Sequence, residues 1–314
     1  MSSHPTTTDA RGTRITVLAG GTGGAKLARG MLDVAGDALT VIANTGDDVE
    51  IHGAHVSPDP DLVTFWLADV IDERGWGLRG DTFAVMEGLR ALGDDVWFNL
   101  GDRDLAWCLR RARRLADGAT PTQALAEGAA ALGVRARVLP MTDAPVRTAV
   151  MTGGAWRPFQ EFMIRERAAG PVEGVEFRGA QAARPTEAVL EAIDAADAIV
   201  IGPSNPVASI GPILAVGGLR DALREARAPV VAVSPFVGGE VVKGPTEPFL
   251  RWAGVLADAG GVAAYYGDVL DGLVCDEESV EAAVPALVTA TLMDDPDARA
   301  RVARETLRFT RGLA

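Results

Sequence analysis

The chain has 314 residues, 48% of them hydrophobic, which is enough for one large α/β domain with a substantial core. Its net charge of -13 disfavours nucleic acid and anionic membrane surfaces as partners. The two cysteines lie far apart in sequence, which disfavours a disulfide framework and fits a reducing cytoplasm. No apolar run is long enough to cross a bilayer, and the polar residues 1–13 predict a disordered tail.

Short apolar strands alternate with helical stretches along the rest of the chain. The pattern predicts strands at 14–19, 39–43, 96–100, 134–139, 146–151, 172–177, 198–201, 230–233, 262–265 and 273–275. It predicts helices at 25–34, 62–71, 82–92, 104–115, 121–132, 185–195, 219–226, 247–257 and 296–311. This alternation indicates a Rossmann-like, mostly parallel sheet with helices on both faces. We predict a single α/β domain over residues 14–314, with a smaller lobe inserted at about 147–178.

A glycine-rich loop follows the first predicted strand and opens the first helix. It consists of Gly20, Gly21, Thr22, Gly23, Gly24, Ala25 and Lys26. Glycines let backbone N–H groups approach an anion, and a helix N-terminus adds positive potential. The loop fits neither the dinucleotide pattern, since Lys26 takes the place of its last glycine, nor the Walker pattern, since Ala25 precedes the lysine. It therefore predicts phosphate binding without naming a cofactor, and a ligand-free turn is the alternative.

Lysine is rare in this chain. Of the 30 basic residues only Lys26 and Lys243 are lysines, and both lie in glycine-rich loops. A coding bias in the genome explains the overall ratio of arginine to lysine. The placement of these two lysines, however, is compatible with a role in binding phosphate.

Acidic side chains follow the second predicted strand and recur at a predicted helix start. Asp47 and Asp48 come shortly after Asn44, at the end of the strand. Adjacent carboxylates beside a phosphate loop indicate Mg²⁺, a cation that prefers oxygen ligands, while a solvated turn is the alternative. Asp59 and Asp61 lie two residues apart beside prolines, where helix capping is the alternative for one of them.

Two further polar loops follow buried strands. Ser204 and Asn205, between prolines, offer side chains that hydrogen-bond a base, a sugar or a phosphate. Lys243 lies in the loop beyond the strand at 230–233. Because ligands of parallel α/β sheets bind beyond the carboxyl ends of the strands, these loops together favour a nucleotide-type ligand.

Taken together, these motifs resemble the 2-phospho-L-lactate transferase family, CofD, called FbiA in actinobacteria. The resemblance covers essentially the whole chain after the tail. It is carried, in chain order, by Gly20–Leu27, Asn44–Asp48, Ser57–Asp59, Arg74–Gly77, Leu100–Asp104, Leu139–Asp143, Phe159–Glu161 and Gly202–Pro206.

The family makes the deazaflavin coenzyme F-420, so the resemblance implies a transfer reaction. The ribityl hydroxyl of Fo (7,8-didemethyl-8-hydroxy-5-deazariboflavin) would attack a guanosine-diphosphate-linked donor and release GMP. Phosphoenolpyruvate is the favoured transferred group, and 2-phospholactate and 3-phosphoglycerate remain open. The resemblance also implies Mg²⁺ dependence, a homodimer and a cytoplasmic location.

The resemblance assigns roles to individual residues. Asp47 is the leading Mg²⁺ ligand, Asp48 assists it, and Asp61 is a second ligand or the general base for the Fo hydroxyl. Asn99 occupies a position that contacts Fo in the family. The remaining implied binding residues are Gly20, Gly21, Thr22, Gly23, Gly24, Lys26, Asn44, Ser204, Asn205 and Lys243.

The sequence departs from the family pattern at four positions. Pro60 and Leu62 replace a leucine and a threonine beside Asp61, and Trp107 and Cys108 replace a threonine and a histidine. These departures put an Fo contact from the second pair in doubt and are compatible with an altered substrate. A non-catalytic, nucleotide-sugar-binding regulator of the YvcK type is the alternative function, and a NAD-dependent oxidoreductase is a more distant one.

Overall fold

The computed structural model describes residues 12–278 and 280–314, so the predicted tail at 1–13 falls almost entirely outside the described residues. In chain order the strands are β1 (Ile15–Ala19), β2 (Leu39–Ala43), β3 (Val49–Ile51), β4 (Ala54–Val56), β5 (Arg137–Pro140), β6 (Arg147–Thr152), β7 (Ala155–Pro158), β8 (Gly174–Arg178), β9 (Ala198–Ile201), β10 (Val230–Val233), β11 (Phe236–Val237), β12 (Glu240–Val241), β13 (Gly272–Cys275) and β14 (Ala286–Val288).

Helices connect most of these strands. They are α1 (Gly21–Ala35), α2 (Pro58–Leu67), α3 (Ala84–Ala91), α4 (Asp102–Ala116), α5 (Pro121–Ala131), α6 (Glu187–Asp194), α7 (Gly211–Ala215), α8 (Leu219–Arg224), α9 (Thr246–Trp252), α10 (Ala259–Tyr266) and α11 (Pro296–Arg311). No helix in the described ranges combines the length and the apolar character needed to cross a membrane.

Seven strands form one parallel sheet, in the order β14-β13-β10-β9-β1-β2-β5. The chain runs outward from β1 through β2 to β5, and then returns to β9 on the other side of β1. The direction of winding therefore reverses between β1 and β9. In open parallel sheets this reversal opens a crevice beyond the carboxyl ends of the two strands.

Alternating residues of the strands enter two hydrophobic cores, one on each face of the sheet. Leu18 and Ile42 pack into the core that contains residues of α6 to α10. Val17 and Val41 pack into the other core, with residues of α1, α2 and α11. Because successive strand side chains point to opposite faces, fully apolar strands require helices on both sides. The predicted Rossmann-like fold class is therefore confirmed.

Two predicted strands are wrong. Residues 262–265 lie in α10, because Asp258 caps that helix by accepting a hydrogen bond from the Gly261 backbone N–H at 2.7 Å. Residues 96–100 have no partner strand among the described residues. Their apolar side chains instead pack in a small cluster with α3 and α4, and the Phe98 carbonyl oxygen lies 2.8 Å from His52 Nε2.

A separate antiparallel sheet, β7-β6-β8, occupies the stretch for which an inserted lobe was predicted. Between β7 and β8 the chain forms a helical turn over Glu161–Arg165. The Phe162 side chain of that turn is fully buried and meets the Phe249 ring of α9 edge-on, with ring centroids 6.2 Å apart. This contact attaches the three-stranded sheet to the main core.

We expect Phe162→Ala to lower the free energy of unfolding by about 3–5 kcal/mol, because it leaves a cavity at this attachment. Ile164→Ala, in the same turn, is the matched control, since the Ile164 side chain is 40% exposed. The control should cost less than about 1 kcal/mol. Urea unfolding of both variants measures the difference, and equal losses would contradict the proposed attachment.

Candidate active site at the carboxyl ends of β1 and β9

A cavity of about 540 Å³ opens beyond the carboxyl ends of β1 and β9. This is the crevice expected where the winding of the sheet reverses. It is lined by nine of the predicted site residues: Gly20, Gly21, Thr22, Gly23, Lys26, Asp47, Ser204, Asn205 and Lys243. The other predicted residues, Gly24, Asn44, Asp48, Asp61 and Asn99, lie outside this lining.

The glycine-rich loop places the N-terminus of α1 against the cavity. Gly20 is the N-cap of this helix, and Gly21 has a positive φ of 64°, which favours glycine. The loop is tied to the β9 end, because Gly20 N–H donates to Ser204 Oγ at 3.3 Å and the Ser204 hydroxyl donates back to the Gly20 carbonyl. The first-turn amides of α1 have no partner within the helix, so those of Thr22 and Gly23 are available to an anion.

Two buried aspartates line the same cavity beside the glycine loop. Asp59 Oδ1 accepts from the Gly21 amide at 2.6 Å, and Asp59 Oδ2 accepts from Asn44 Nδ2 at 2.9 Å. The same Asn44 nitrogen lies 3.3 Å from Asp47 Oδ1, so one amide group holds an oxygen of each carboxylate. Asn44 thus lies behind the cavity and positions both acids.

Gln160, from the turn after β7, completes the surroundings of Asp47. Its side-chain nitrogen donates to Asp47 Oδ2 and to the Asp47 carbonyl, each at 3.2 Å. Asp47 is therefore held by two neutral amides, with Asn44 on one oxygen and Gln160 on the other. Neither amide neutralises the charge of the carboxylate.

Burial shapes the acidity of these two carboxyl groups. Burial, followed by repulsion from Asp59 and Asp48, raises the pKa of Asp47 well above its usual range. Burial also raises the pKa of Asp59 to about 6, although the hydrogen bonds from Asn44 and Gly21 oppose the rise. A divalent cation beside the pair would favour the ionised forms, and paired carboxylate oxygens are suitable ligands for Mg²⁺. The residues present therefore fit a magnesium ion at Asp47 and Asp59.

Asp48 and Asp61 point away from the cavity. Asp48 accepts from the Ser57 hydroxyl at 2.7 Å and lies 3.1 Å from His55 Nε2. Both oxygens of Asp61 are taken by the Arg111 guanidinium in a buried ion pair. These contacts leave neither carboxylate directed at a ligand in the cavity, in contrast to the predicted metal roles.

Both lysines of the chain, Lys26 and Lys243, line the cavity. Lys243 Nζ lies 3.4 Å from Thr22 Oγ1, so its ammonium group stands over the glycine loop. Lys26 is half-buried, and burial together with the nearby Arg299 and Lys243 lowers its pKa, while Asp294 opposes this. Positive charge is therefore concentrated at the N-terminus of α1, in a chain that is acidic overall.

Three other predicted residues have mainly structural contacts. Gly24 packs against β1 and Ser204, where a Cβ would lie 2.7 Å from Ser204 Oγ. Asn205 Oδ1 caps the following turn by accepting from the Val207 and Ala208 amides, each at 3.0 Å, although the residue also lines the cavity. Asn99 accepts a hydrogen bond from Arg90 of α3 at 3.0 Å.

One side of the cavity is apolar. It consists of Phe159, Met163 and Ile164 from the segment between β7 and β8, with Phe249 and Val242 from the segment around α9. The Phe159 and Phe249 rings are 6.4 Å apart, centroid to centroid. The polar and apolar sides together suit a ligand that combines phosphates with a flat ring.

Asp59 and Gln160 were not among the predicted site residues. Both residues stand inside motifs that carried the family resemblance, and that placement was the available signal. Their contacts, however, join segments that are far apart along the chain, since Gln160 lies 113 residues from Asp47. Such contacts leave no periodic pattern in the sequence.

Comparison with known proteins identifies the family. The family model described as "2-phospho-L-lactate transferase CofD" matches residues 15–301. The chain belongs to the CofD family of transferases. Among its relatives, a phosphoenolpyruvate transferase of Streptomyces griseus is 45% identical, over 94% of this chain and 98% of the relative. A 2-phospho-L-lactate transferase of Methanosarcina mazei is 40% identical, over 83% of this chain and 86% of the relative.

A solved structure shares the fold of this CofD family member. It is a member of the UPF0052 family from Bacillus halodurans, with a TM-score of 0.64 and 18% sequence identity. The match covers 94% of this chain and 99% of that chain. At this identity the likeness extends to the fold alone.

We expect Gly23→Ala to destabilise the protein by about 1–3 kcal/mol, because the new Cβ would overlap the Pro203 carbonyl oxygen. Gly88→Ala in α3 is the matched control, since Gly88 is an exposed helix residue with no atom in the way of a Cβ. The control should raise the free energy of unfolding by about 0.5–1 kcal/mol. Thermal unfolding measures both, and a neutral Gly23→Ala would contradict the close contact.

Asp104 should make the stability of the protein depend on pH. Burial, with repulsion from Asp61 and Asp81, raises its pKa from 3.8 to about 7. The pKa of Asp104 is thus higher in the folded than in the unfolded protein. Its contribution to the free energy of unfolding is therefore complete below pH 3.8 and is lost as the pH rises through about 7. We therefore expect Asp104→Asn to be more stable than the wild type at pH 8, by about 2–4 kcal/mol, and similar to it at pH 4.

Asp102→Asn is the matched control for this prediction. Its carboxylate accepts from Thr82 and from the Val85 and Ala84 amides, and these contacts lower its pKa. Its stabilising contribution is therefore present above pH 3.8 and is lost on acidification, the opposite sign to that of Asp104. Urea unfolding across this range measures both, and a wild-type pH profile for Asp104→Asn would refute the assignment.

Proposed function

We propose that this transferase acts in coenzyme F-420 biosynthesis and moves a phosphorylated three-carbon acid onto Fo. The donor is a guanosine-diphosphate-linked phosphoenolpyruvate or phospholactate, and GMP is the second product. The supporting observation is the cavity, where the N-terminus of α1, both lysines and a buried aspartate pair converge in a member of the CofD family. Phosphoenolpyruvate is the favoured group, because the Streptomyces griseus relative is a phosphoenolpyruvate transferase.

The transfer is a phosphoryl-type substitution. The ribityl hydroxyl oxygen of Fo forms a bond to the phosphorus that carries the three-carbon acid. The bond from that phosphorus to the oxygen bridging to GMP breaks, and GMP leaves with the electron pair. The hydroxyl proton passes to a base. This chemistry requires positioning and charge stabilisation more than a covalent nucleophile, which suits a site poor in histidine.

The positive end of the cavity would hold the diphosphate. Thr22 and Gly23 of the helix start line it, and Lys243 and Lys26 would add full charges. The chain as a whole has a net charge of -13, so its overall electrostatic field repels such a donor. Local groups must therefore provide the attraction.

Asp47 is proposed as a ligand of Mg²⁺ beside this diphosphate. Bound there, the ion would neutralise charge on the phosphates and help to orient them. Asn44 and Gln160 hold the two oxygens of Asp47 in place. The apolar side at Phe159 and Phe249 is the proposed location of a ring, that of Fo or of the donor. We also propose that the protein assembles as a homodimer.

Mixing the protein with Fo, Mg²⁺ and each guanylated donor should release GMP and form a product of the expected mass. Asp47→Asn should lower this rate by about 100-fold or more, because it removes a charged ligand of the ion. Release of GMP and product mass are followed by chromatography and mass spectrometry. No product with any donor, or binding of a UDP-sugar without binding of Fo, would contradict the transferase and favour the regulator.

We expect Lys243→Ala to raise the KM for the donor by about tenfold with a smaller effect on kcat, because it removes a charge-assisted contact with a phosphate. Arg113→Ala removes a cation from an 82% exposed position on α4 and serves as the control. Steady-state kinetics at fixed ionic strength measures both variants. Equal KM values for the two would refute the role of Lys243.

A further inference from the structure

The first turn of α2 presents two carboxylates in different directions. Pro58 begins the helix, and Asp59 and Asp61 follow two residues apart. Positions i and i+2 of a helix are separated by about 200° around the axis, so they do not share a face. Asp59 faces α1 and the cavity, whereas Asp61 faces α4.

On the Asp61 side, hydrogen bonds connect α2 to α4. We call the contacts among Asp61, Arg111 and Trp107 the brace. The Arg111 guanidinium donates hydrogen bonds to both oxygens of Asp61 and also to the His55 carbonyl, the last at 3.0 Å. Trp107 Nε1 donates to Asp61 Oδ1 at 2.6 Å, and Cys108 Sγ lies 3.9 Å from Asp61 Oδ2. The Asp61 and Arg111 side chains are each only 6% exposed.

Packing fixes the orientation of this brace. The Trp107 ring meets the Phe65 ring of α2 edge-on, with centroids 5.5 Å apart, and it also packs against Gly128 of α5, where a Cβ would lie 2.5 Å from its Cη2 atom. Pro60 fits the first turn because a residue there has no N–H partner within the helix to lose. Three departures from the family pattern, at Pro60, Trp107 and Cys108, therefore lie at one junction.

Fixing one face of a short helix fixes its rotation about its axis. With Asp61 held against α4, the side chain of Asp59 is directed at Gly21 and Asn44, and so at the oxygen of Asp47 that Asn44 also holds. A rotated α2 would lose these contacts together. The position of Asp59 in the cavity thus depends on Arg111, which lies 50 residues along the chain from Asp61.

We propose that Asp59 is the second acidic ligand of the divalent cation, and that Asp61 is a positioning residue that touches neither cation nor substrate. The Asp61–Arg111–Trp107 brace directs Asp59 at the cation from the far side of α2. This inference rests on the proposed function for the presence of the cation. It differs from the role that the sequence resemblance implied for Asp61.

The inference is tested by the affinity of each variant for Mn²⁺, read by electron paramagnetic resonance in the presence of GDP. Asp59→Asn should weaken Mn²⁺ binding by more than about 100-fold, because a direct ligand is lost, whereas loss of an outer-shell residue typically costs about 10- to 100-fold. For Asp61→Asn, the loss of Mn²⁺ affinity should lie in that lower range of about 10- to 100-fold. Its main defect is an unpaired buried Arg111.

Rescue distinguishes a ligand from a positioning residue. The double variant Asp61→Asn with Arg111→Gln removes both buried charges, so the junction can re-form as a neutral pair. We expect its Mn²⁺ affinity to return to within about threefold of the wild type. Circular dichroism establishes that each variant is folded. A folded double variant that binds Mn²⁺ as weakly as Asp59→Asn, or an Asp59→Asn protein with wild-type affinity, would overturn the proposal.

Trp107→Phe provides a test that does not disturb a charge. It keeps an aromatic ring between Phe65 and Gly128 but removes the indole N–H that holds Asp61. We expect about a three- to tenfold loss of Mn²⁺ affinity, as for a mild outer-shell defect. Unchanged affinity would overturn the positioning role even if the double variant failed to fold.

GMP release on the same samples separates this inference from the proposed function. A wild-type protein that binds Mn²⁺ through Asp59 but releases no GMP with any donor contradicts the transfer reaction alone. An Asp59→Asn protein that releases GMP at the wild-type rate contradicts the inference alone.

Discussion

The close contact between the loops after β1 and β9 is the constraint on which the site depends. Ser204 and the Gly20 backbone exchange hydrogen bonds, and a Cβ on Gly202 would lie 2.8 Å from the Gly24 Cα. The absence of side chains at Gly24 and Gly202 lets α1 begin directly against the neighbouring strand. The helix start is thereby held at the crevice where the winding of the sheet reverses.

Electrostatics explains why this position matters. An acidic chain that binds a diphosphate has to do so through local positive groups, and the helix start, Lys26 and Lys243 lie together in one cavity. The two aspartates beside them, Asp47 and Asp59, would repel the same phosphates in the absence of a cation. A divalent cation held by the two aspartates would offset this repulsion.

The fold was predictable because short, mostly apolar strands alternate with helical segments along the chain. The strand predicted at 262–265 failed because the cap at Asp258 outweighed a short apolar run. In the site, the loops after strands were predictable from glycines and lysines. The directions of Asp59 and Asp61 were not, because the rotation of α2 is set by Arg111 and Trp107 in a distant helix.

We propose above that the diphosphate of a guanosine nucleotide binds at the start of α1, next to a cation held by Asp47. The most direct measurement is phosphorus NMR of GDP bound to the protein, during titration with Mn²⁺. Both phosphorus resonances should broaden at substoichiometric Mn²⁺ in the wild type and stay sharp in Asp47→Asn. Bound GDP whose resonances broaden equally in both proteins, or in neither, would contradict it.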